Sequence, residues 1–452
     1  MKKKTDNNVY ILKKLLYNYH RMKKKLFLFA FLIFSFPAHS LDFIDFSSAI
    51  TDIFGGYSND NEGTTSYRSL LIPVGGRCES LGCAYTGFCD DVAFFNYNPA
   101  ASCIIKETQA GFFHNSWIAD SNLETISYTT RMNNFAFGLQ LSTFYIPFTE
   151  YNIMGERTAG SYYSENYFSL NASYNFLAGY EFKGFALGSN FKCAYRSVPD
   201  FSDNDTNEII SNSGLSQSGI ALMFDFGLML QFNLLKYFSS RDPNVKIGFA
   251  IENLGIGFTG IGSSFKVDDP LPTYIAAGMS VKFIPLVTAI IDIKQPVNLT
   301  ALDKYQLFSL GAGVILDFTD IFNLLFGLEL KSGNPKLSAG AEFEFKNTRF
   351  NVNYTLDLTS SLAPINRFSV SAKILMGDRG RAQVQHEIDV LYNEGLYYYY
   401  NSEWEKAIET WKKILEINKR YDPAIIGIQS AQSQIDMFEN VRNSMFFEQE
   451  SK

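Results

Sequence analysis

Histidine is nearly missing from this chain: four residues in 452, alongside three tryptophans. His20 and His39 fall in a segment that reads as a removable leader, which leaves His114 and His386. Two histidines that no motif links are too few for most imidazole metal sites or catalytic triads. Charge is also scarce, at 19% of residues against about 25% in an ordinary soluble domain. A disordered chain would be charge-rich and aromatic-poor, whereas 16% of this one is Phe, Trp or Tyr. The formal net charge of −7 excludes the basic footprint that nucleic-acid binding requires. Beyond residue 40 no run reaches the ~18 apolar residues expected of a membrane-crossing helix.

The N-terminus carries a different signal. Three lysines at 23–25 precede an apolar run from Leu26 to Phe36, and Ala38-His39-Ser40 closes it with small residues. These are the basic, apolar and cleavage regions of a secretory signal peptide, so residues 1–40 are expected to be a leader. Met22 is the more natural start, because the segment before it only lengthens the basic end. The remaining chain would hold 30 basic and 45 acidic residues, a net of −15. An exported, aromatic-rich chain without membrane helices is either a soluble periplasmic β protein or a closed barrel in an outer membrane.

The hydrophobic period decides between them. Phe168, Leu170, Ala172, Tyr174 and Phe176 alternate with Tyr167, Ser169, Asn171, Ser173 and Asn175. Leu337 to Lys346, Phe350 to Leu356 and Phe368 to Ile374 repeat this period of two, the mark of strands with one apolar face. Fourteen such runs begin near Gln109, Asn122, Asn134, Glu165, Lys183, Gly219, Val245, Thr273, Val287, Tyr305, Asn323, Lys336, Thr348 and Arg367. Their length suits tilted strands crossing a bilayer in ~9–11 residues, and an even number suits a bacterial outer-membrane barrel. Lys192, Arg196, Asp225, Glu252, Asp292, Glu329 and Lys331 lie on the polar faces, which predicts a charged lumen and a lipid-facing exterior. The spacing also predicts short turns at Ile284-Pro285 and Asn347, and long polar loops at 149–164 and 199–217. The expected fold is therefore an all-β transmembrane barrel of about fourteen antiparallel strands over residues 109–376, preceded by an N-terminal segment at 41–108.

Residues 75–102 do not alternate. Leu81-Gly82, Ala84-Tyr85, Asp90-Asp91 and Asn98-Pro99-Ala100 stand in an order that resembles the N-terminal hatch of the FadL-type fatty-acid transport family, a pattern PorV-like outer-membrane proteins share. The likeness runs from about Ser66 to Gly377 and looks closest to a spirochaetal branch. The resemblance implies a hatch in the barrel lumen, hydrophobic substrate bound at the outer face, and hatch movement that opens a path toward the barrel wall. It makes Gly82, Asp90, Asp91, Asn98, Pro99 and Ala100 candidate hatch or gate residues; a turn and cap that only hold the hatch would use the same residue types. Pro147 ends the third run. Since proline removes a ladder donor, it marks either a strand end before a loop or, as the resemblance suggests, a lateral opening.

Cys78, Cys83, Cys89 and Cys103 cluster in this segment, and Cys193 falls on the outward side of the fifth strand. Their spacing is not that of a zinc site, so buried or disulfide-bonded thiols are expected rather than metal. Gly255-Ile-Gly257-Phe-Thr-Gly260 has dinucleotide-fingerprint spacing but no helix pattern after it. It reads as a loop.

Residues 383–440 change to helical periodicity. Leu391, Gly395, Tyr398, Ala407 and Trp411 stand at tetratricopeptide spacing, and a third helix is expected from about Pro423 to Glu439. One such repeat cannot bury its faces alone, so it must dock on the barrel base, another copy or a partner. An even strand count places it on the periplasmic side. The expected function is outer-membrane uptake of hydrophobic compounds, with long-chain fatty acids foremost. The alternative is a PorV-like scaffold or shuttle that binds a periplasmic protein through residues 383–440. Outer-membrane lipid is the expected surrounding, and neither catalytic residues, cofactor nor metal is expected.

Overall fold

The computed structural model describes residues 64–450, apart from 119, 152–153, 204–205, 207, 262–264, 301–305, 320, 332–333 and 358–364. The proposed leader lies outside the described residues. Among those described, fourteen long antiparallel strands form one closed sheet: β1 (Gln109–Ser116), β2 (Asn122–Met132), β3 (Phe135–Tyr151), β4 (Arg157–Phe176), β5 (Phe185–Ser197), β6 (Gly219–Phe232), β7 (Val245–Thr259), β8 (Tyr274–Ile284), β9 (Val287–Pro296), β10 (Ser309–Thr319), β11 (Phe322–Lys331), β12 (Asn334–Phe345), β13 (Thr348–Asp357) and β14 (Ile365–Leu375). A two-residue strand, Lys266–Val267, adds a short flap to β7. Each long strand pairs with its chain neighbours, and β1 closes the ring on β14, with Gln109 opposite Leu375 and Asn115 opposite Ser369.

Alternation sets which way each residue points. On β6, Leu222, Phe224 and Phe226 are 42–48% exposed while Ala221, Met223 and Asp225 are fully buried. A soluble protein would have this reversed. A continuous apolar exterior of this size is stable only against lipid, and the polar rows then line the lumen. The closed ladder leaves no backbone edge for the bilayer to meet. Lys192, Asp225, Glu252 and Asp292 are buried on the inward rows, and half-buried Cys193 lies on the outward one.

Three strand expectations are corrected. Residues 149–164 are mostly strand, because β3 runs on to Tyr151 and β4 starts at Arg157. There the sequence loses its alternation but the two strands hold each other through the full register and an edge-on Tyr145–Tyr162 ring pair at 6.4 Å. Pro147 is accordingly inside this overhang, opposite Tyr162, and not at a strand end. The glycines at 255 and 257 also belong to a strand, the last part of β7. A register shift opposite Asn253, whose φ is +59°, bends the strand just before them.

At the end of the barrel where β1 begins and β14 ends, hereafter the terminal side, several connections are tight, as at 133–134, 285–286 and 346–347. Longer connections at 177–184 and 233–244 receive the C-terminal helices α1 (Arg381–Tyr400), α2 (Trp404–Ile417) and α3 (Asp422–Glu450). These have their own core of Ile388, Ala407, Trp411, Ile414, Tyr421, Ala424 and Ala431. The docking is on the barrel base: Tyr180 meets the Tyr421 ring edge-on at 5.0 Å, the Tyr180 N–H donates to the Arg420 carbonyl at 3.1 Å, and Arg241 pairs with Asp389 at 2.6 Å. The opposite, loop side carries the long connections 198–218 and 260–273.

Candidate functional site

Residues 66–105 fill the lumen as a plug of short helical turns: Arg68–Leu71, Gly76–Ser80, Val92–Asn96 and Pro99–Cys103. Its apolar side chains pack on one another, with Phe94 and Phe95 stacked at 4.3 Å, while its polar groups reach the wall. Asp91 caps the third turn by accepting from the Ala93 N–H at 2.9 Å, and its carboxylate meets the Lys373 ammonium of β14 at 2.5 Å. Both side chains are 1% exposed. Burial alone would raise the Asp91 carboxyl, but Lys373 and Arg77 outweigh it and hold it at about 2. Asp90 accepts from Tyr85 Oη at 2.9 Å and pairs with Arg77 at 3.0 Å, and Arg77 reaches Glu342 of β12 at 3.4 Å.

Asn98 caps the last turn. Its Oδ1 accepts from the Ala100 N–H at 3.1 Å, and its Nδ2 donates to the carbonyls of Thr86 and Leu228. Pro99 is the first residue of that turn, where its missing N–H costs nothing. Its carbonyl accepts from Asn171 Nδ2 of β4 at 3.0 Å, and Ala100 is fully buried beside it. On the far side of the plug, Asp292 of β9 accepts from the backbone N–H groups of Tyr85 and Thr86 at 2.7 and 2.5 Å. Gly82, at φ +63°, lies so close to β11 that a methyl group on Gly327 would stand 2.0 Å from its nitrogen. Gly82, Asp91, Asn98 and Pro99 thus cap turns or touch the wall, the Ala100 nitrogen lies against β5 and β6 at Gly188 and Gly227, and Asp90 is held within the plug by Tyr85 and Arg77. Pro147 stands apart in the β3 overhang.

Above the plug, toward the loop side, lies a cavity of about 700 Å³. Its floor is Cys83, Asn96 and Tyr97; the strap Thr65–Pro73 runs along it, and Trp117, Ile118, Phe144 and Tyr163 form an apolar wall. Charged side chains, among them Glu165, Arg196, Lys294, Lys336 and Arg367, line it as well, and Glu165 adjoins the apolar wall by accepting from Tyr163 Oη at 2.6 Å. Most are paired: Lys336 with Glu329 at 3.1 Å, Arg196 with Asp268 at 2.9 Å, and Arg367 with Asp357 at 3.5 Å and over the Trp117 ring at 4.1 Å. The strap is held by Ser69, which meets Glu165 and Tyr167, and by the Ser66 N–H, which donates to the Pro270 carbonyl at 3.0 Å.

A model of the UPF0164 family, described as an uncharacterised protein family, matches residues 46–379. The chain belongs to the UPF0164 family. A UPF0164 protein of Treponema pallidum (strain Nichols) is 27% identical, over 85% of this chain and 87% of that protein. A second from the same organism is 24% identical, over 84% and 78%. Among solved structures, the Ralstonia pickettii toluene transporter TbuX is similar at a TM-score of 0.43 with 13% identity, covering 67% of this chain and 98% of its own. The CymD monoaromatic hydrocarbon channel gives 0.45 with 12% identity over 68% and 98%, and a Pseudomonas aeruginosa FadL homologue 0.41 with 10% over 67% and 98%.

In this UPF0164 chain, sequence reasoning singled out the plug residues and the charged inward rows but not which would meet. Lys373 and Glu342 were legible as polar-face residues; nothing linear ties them to Asp91 and Arg77, some 280 residues away in the case of Asp91. The wall glycines that admit the plug were missed altogether. Their signal was present, as glycine weakens a strand interior and so needs a reason to be there.

Proposed function

We propose that this barrel takes up hydrophobic compounds across an outer membrane, with long-chain fatty acids as the leading cargo. The observation that carries this is the cavity between plug and loops. Its volume falls within the ~300–1,000 Å³ of ordinary small-molecule sites, and its lining combines apolar and charged side chains, as an acyl chain with a polar head requires. The β3 overhang supports a lateral way out. Beyond Tyr145 the β3 edge has no β2 partner among the described residues, and Trp117, Ile118, Phe144 and Tyr163 of the cavity gather beside it. On this reading Pro147 keeps that edge free of pairing. Gly82, Asp90, Asp91, Asn98, Pro99 and Ala100 anchor the hatch whose shift connects the cavity to the periplasm, where the helical unit also lies.

The experiment is native mass spectrometry on the folded barrel in detergent, offered a mixture of fatty acids. Stoichiometric retention of long-chain species, lost in Leu71→Asp, is expected. A folded barrel that retains none would overturn the reading.

The helical unit favours a second reading, that of a scaffold. Gly395 of α1 packs against Trp411 of α2, the close helix–helix approach of a tetratricopeptide-like pair, and Tyr397, Tyr400, Met437 and Phe438 stay exposed around it. A periplasmic protein captured by the full chain, and lost on removing residues 383–452 while lipid retention persists, would favour it.

A further inference from the structure

The plug helix Gly76–Ser80 ends in a specific cap. The Gly82 N–H donates to the Glu79 carbonyl at 3.1 Å, and the Cys83 N–H donates to the Cys78 carbonyl at 3.0 Å. With Gly82 in the left-handed region at φ +63°, these bonds define a Schellman motif in which Cys78 occupies the third position from the helix end and Cys83 the second position beyond it. A contact between the side chains of these two positions frequently accompanies that motif. Here both are cysteines, both are free of a disulfide, and both lie in the plug's apolar cluster.

The two differ in access. Cys78 is fully buried, whereas Cys83 is 8% exposed and forms part of the cavity floor. A cation shares that cavity: Lys294 of β9 lines it with Cys83 and lies over the Tyr97 and Tyr274 rings at 5.2 and 6.0 Å. A thiol pair with one member at a cavity floor, one fully buried behind it and an ammonium in the same cavity has the parts of an attacking and a resolving cysteine. No catalytic or metal role is needed to account for it.

We propose that Cys78 and Cys83 are a redox-active dithiol at the cavity floor, a modification site that takes a small organic disulfide as its oxidant. The Cys83 thiolate attacks one sulfur of the external disulfide. That S–S bond breaks, one thiolate leaves, and a mixed disulfide remains on Cys83. Burial holds the Cys78 thiol above its ordinary value, so it reacts second: as thiolate it attacks Cys83 Sγ, the internal disulfide forms and the second external thiolate leaves. Two electrons pass to the oxidant and the two protons to the departing thiolates. This holds whatever the cavity carries.

The test uses the full chain, folded in detergent, reduced, and then treated with oxidised glutathione. Heat-modifiable gel mobility verifies that each variant is folded. Cleavage after Glu79 and Tyr85 separates Cys78, Cys83 and Cys89 for peptide mapping. Wild type is expected to lose two hydrogens in mass, to link Cys78 to Cys83 and to keep no glutathione. Cys78→Ser should instead keep one glutathione on Cys83. Cys83→Ser should react at neither position. A folded wild-type barrel that leaves Cys83 free, that keeps glutathione on it, or that links Cys78 to Cys89 or Cys103 overturns the proposal, and this arm stands without the variants.

Discussion

Asp91 and Lys373 form a buried ion pair between the plug and the wall. Each is buried, and Lys373 also faces Glu342 at 3.6 Å. Removing one member leaves a desolvated charge, which typically costs about 3–5 kcal/mol, whereas replacing both by apolar groups can be near neutral. Asp91→Asn and Lys373→Met are therefore each expected to lower the temperature at which the barrel loses its folded gel mobility, and the double variant to recover much of the loss. The pH sign follows from the depressed carboxyl. Stability from this pair is fully present above the ordinary value of 3.8 and disappears as pH falls through about 2. Acidifying from pH 7 to pH 5 should leave the pair's contribution intact, and a thermal titration in detergent, comparing wild type with Asp91→Asn, measures it. A difference between the two that vanishes near pH 5 would contradict this assignment.

At the scale of elements, what seats the plug is the absence of side chains on the wall. Ideal Cβ atoms would stand 2.4 Å from the Pro99 carbonyl oxygen at Gly188, 2.2 Å from Asn98 Oδ1 at Gly227, and 2.1 Å from the Thr86 oxygen at Gly248. Strands β5, β6 and β7 thus receive plug backbone where a methyl group would exclude it. Strand β7 supplies its own control, because a Cβ at Gly257 would make only ordinary contacts, the nearest at 3.4 Å. Gly248→Ala is expected to loosen the plug, read as increased protease cleavage between residues 75 and 105 and as ion conductance in a planar bilayer. Gly257→Ala should change neither. The strands themselves were legible in the sequence, since one face meets lipid and the other a polar lumen, a contrast that period-two alternation records directly. Legibility failed where that contrast fades. Beyond Tyr163 and Tyr145 both faces of the β3–β4 overhang leave the sheet's covered part, so no alternation marked eight further residues of β4. The capping residues Asp91 and Asn98 were visible by type and position. The cavity was not, because it is bounded by the ends of many strands that only closure of the barrel brings together.

The whole molecule is two bodies with separate cores, joined at one end. The plug and strands share one apolar cluster and the three helices have another. Among the described residues what joins them is modest: the Tyr180–Tyr421 ring contact, the Tyr180 N–H on the Arg420 carbonyl, the Glu181 N–H on the Asp422 carboxylate, the Arg381 guanidinium on the Lys106 carbonyl, and the solvent-facing Arg241–Asp389 pair. Exposed pairs are worth ~0–1 kcal/mol and weaken with salt, so the aromatic contact at Tyr180 carries most of the seating. Tyr180 is 42% exposed and belongs to neither core, so its loss need not unfold either body. Tyr180→Ala is expected to leave the folded gel mobility of the barrel unchanged while speeding protease cleavage between Met376 and Arg381, and raising salt should add to the effect in the variant. Deleting residues 381–452 should likewise leave a folded barrel, because β14 ends at Leu375 and closes on β1 without help from the helices. If the truncated barrel fails to form, the helices contribute to closure of the ring, and transport and scaffolding are no longer separable by cutting the chain at that point.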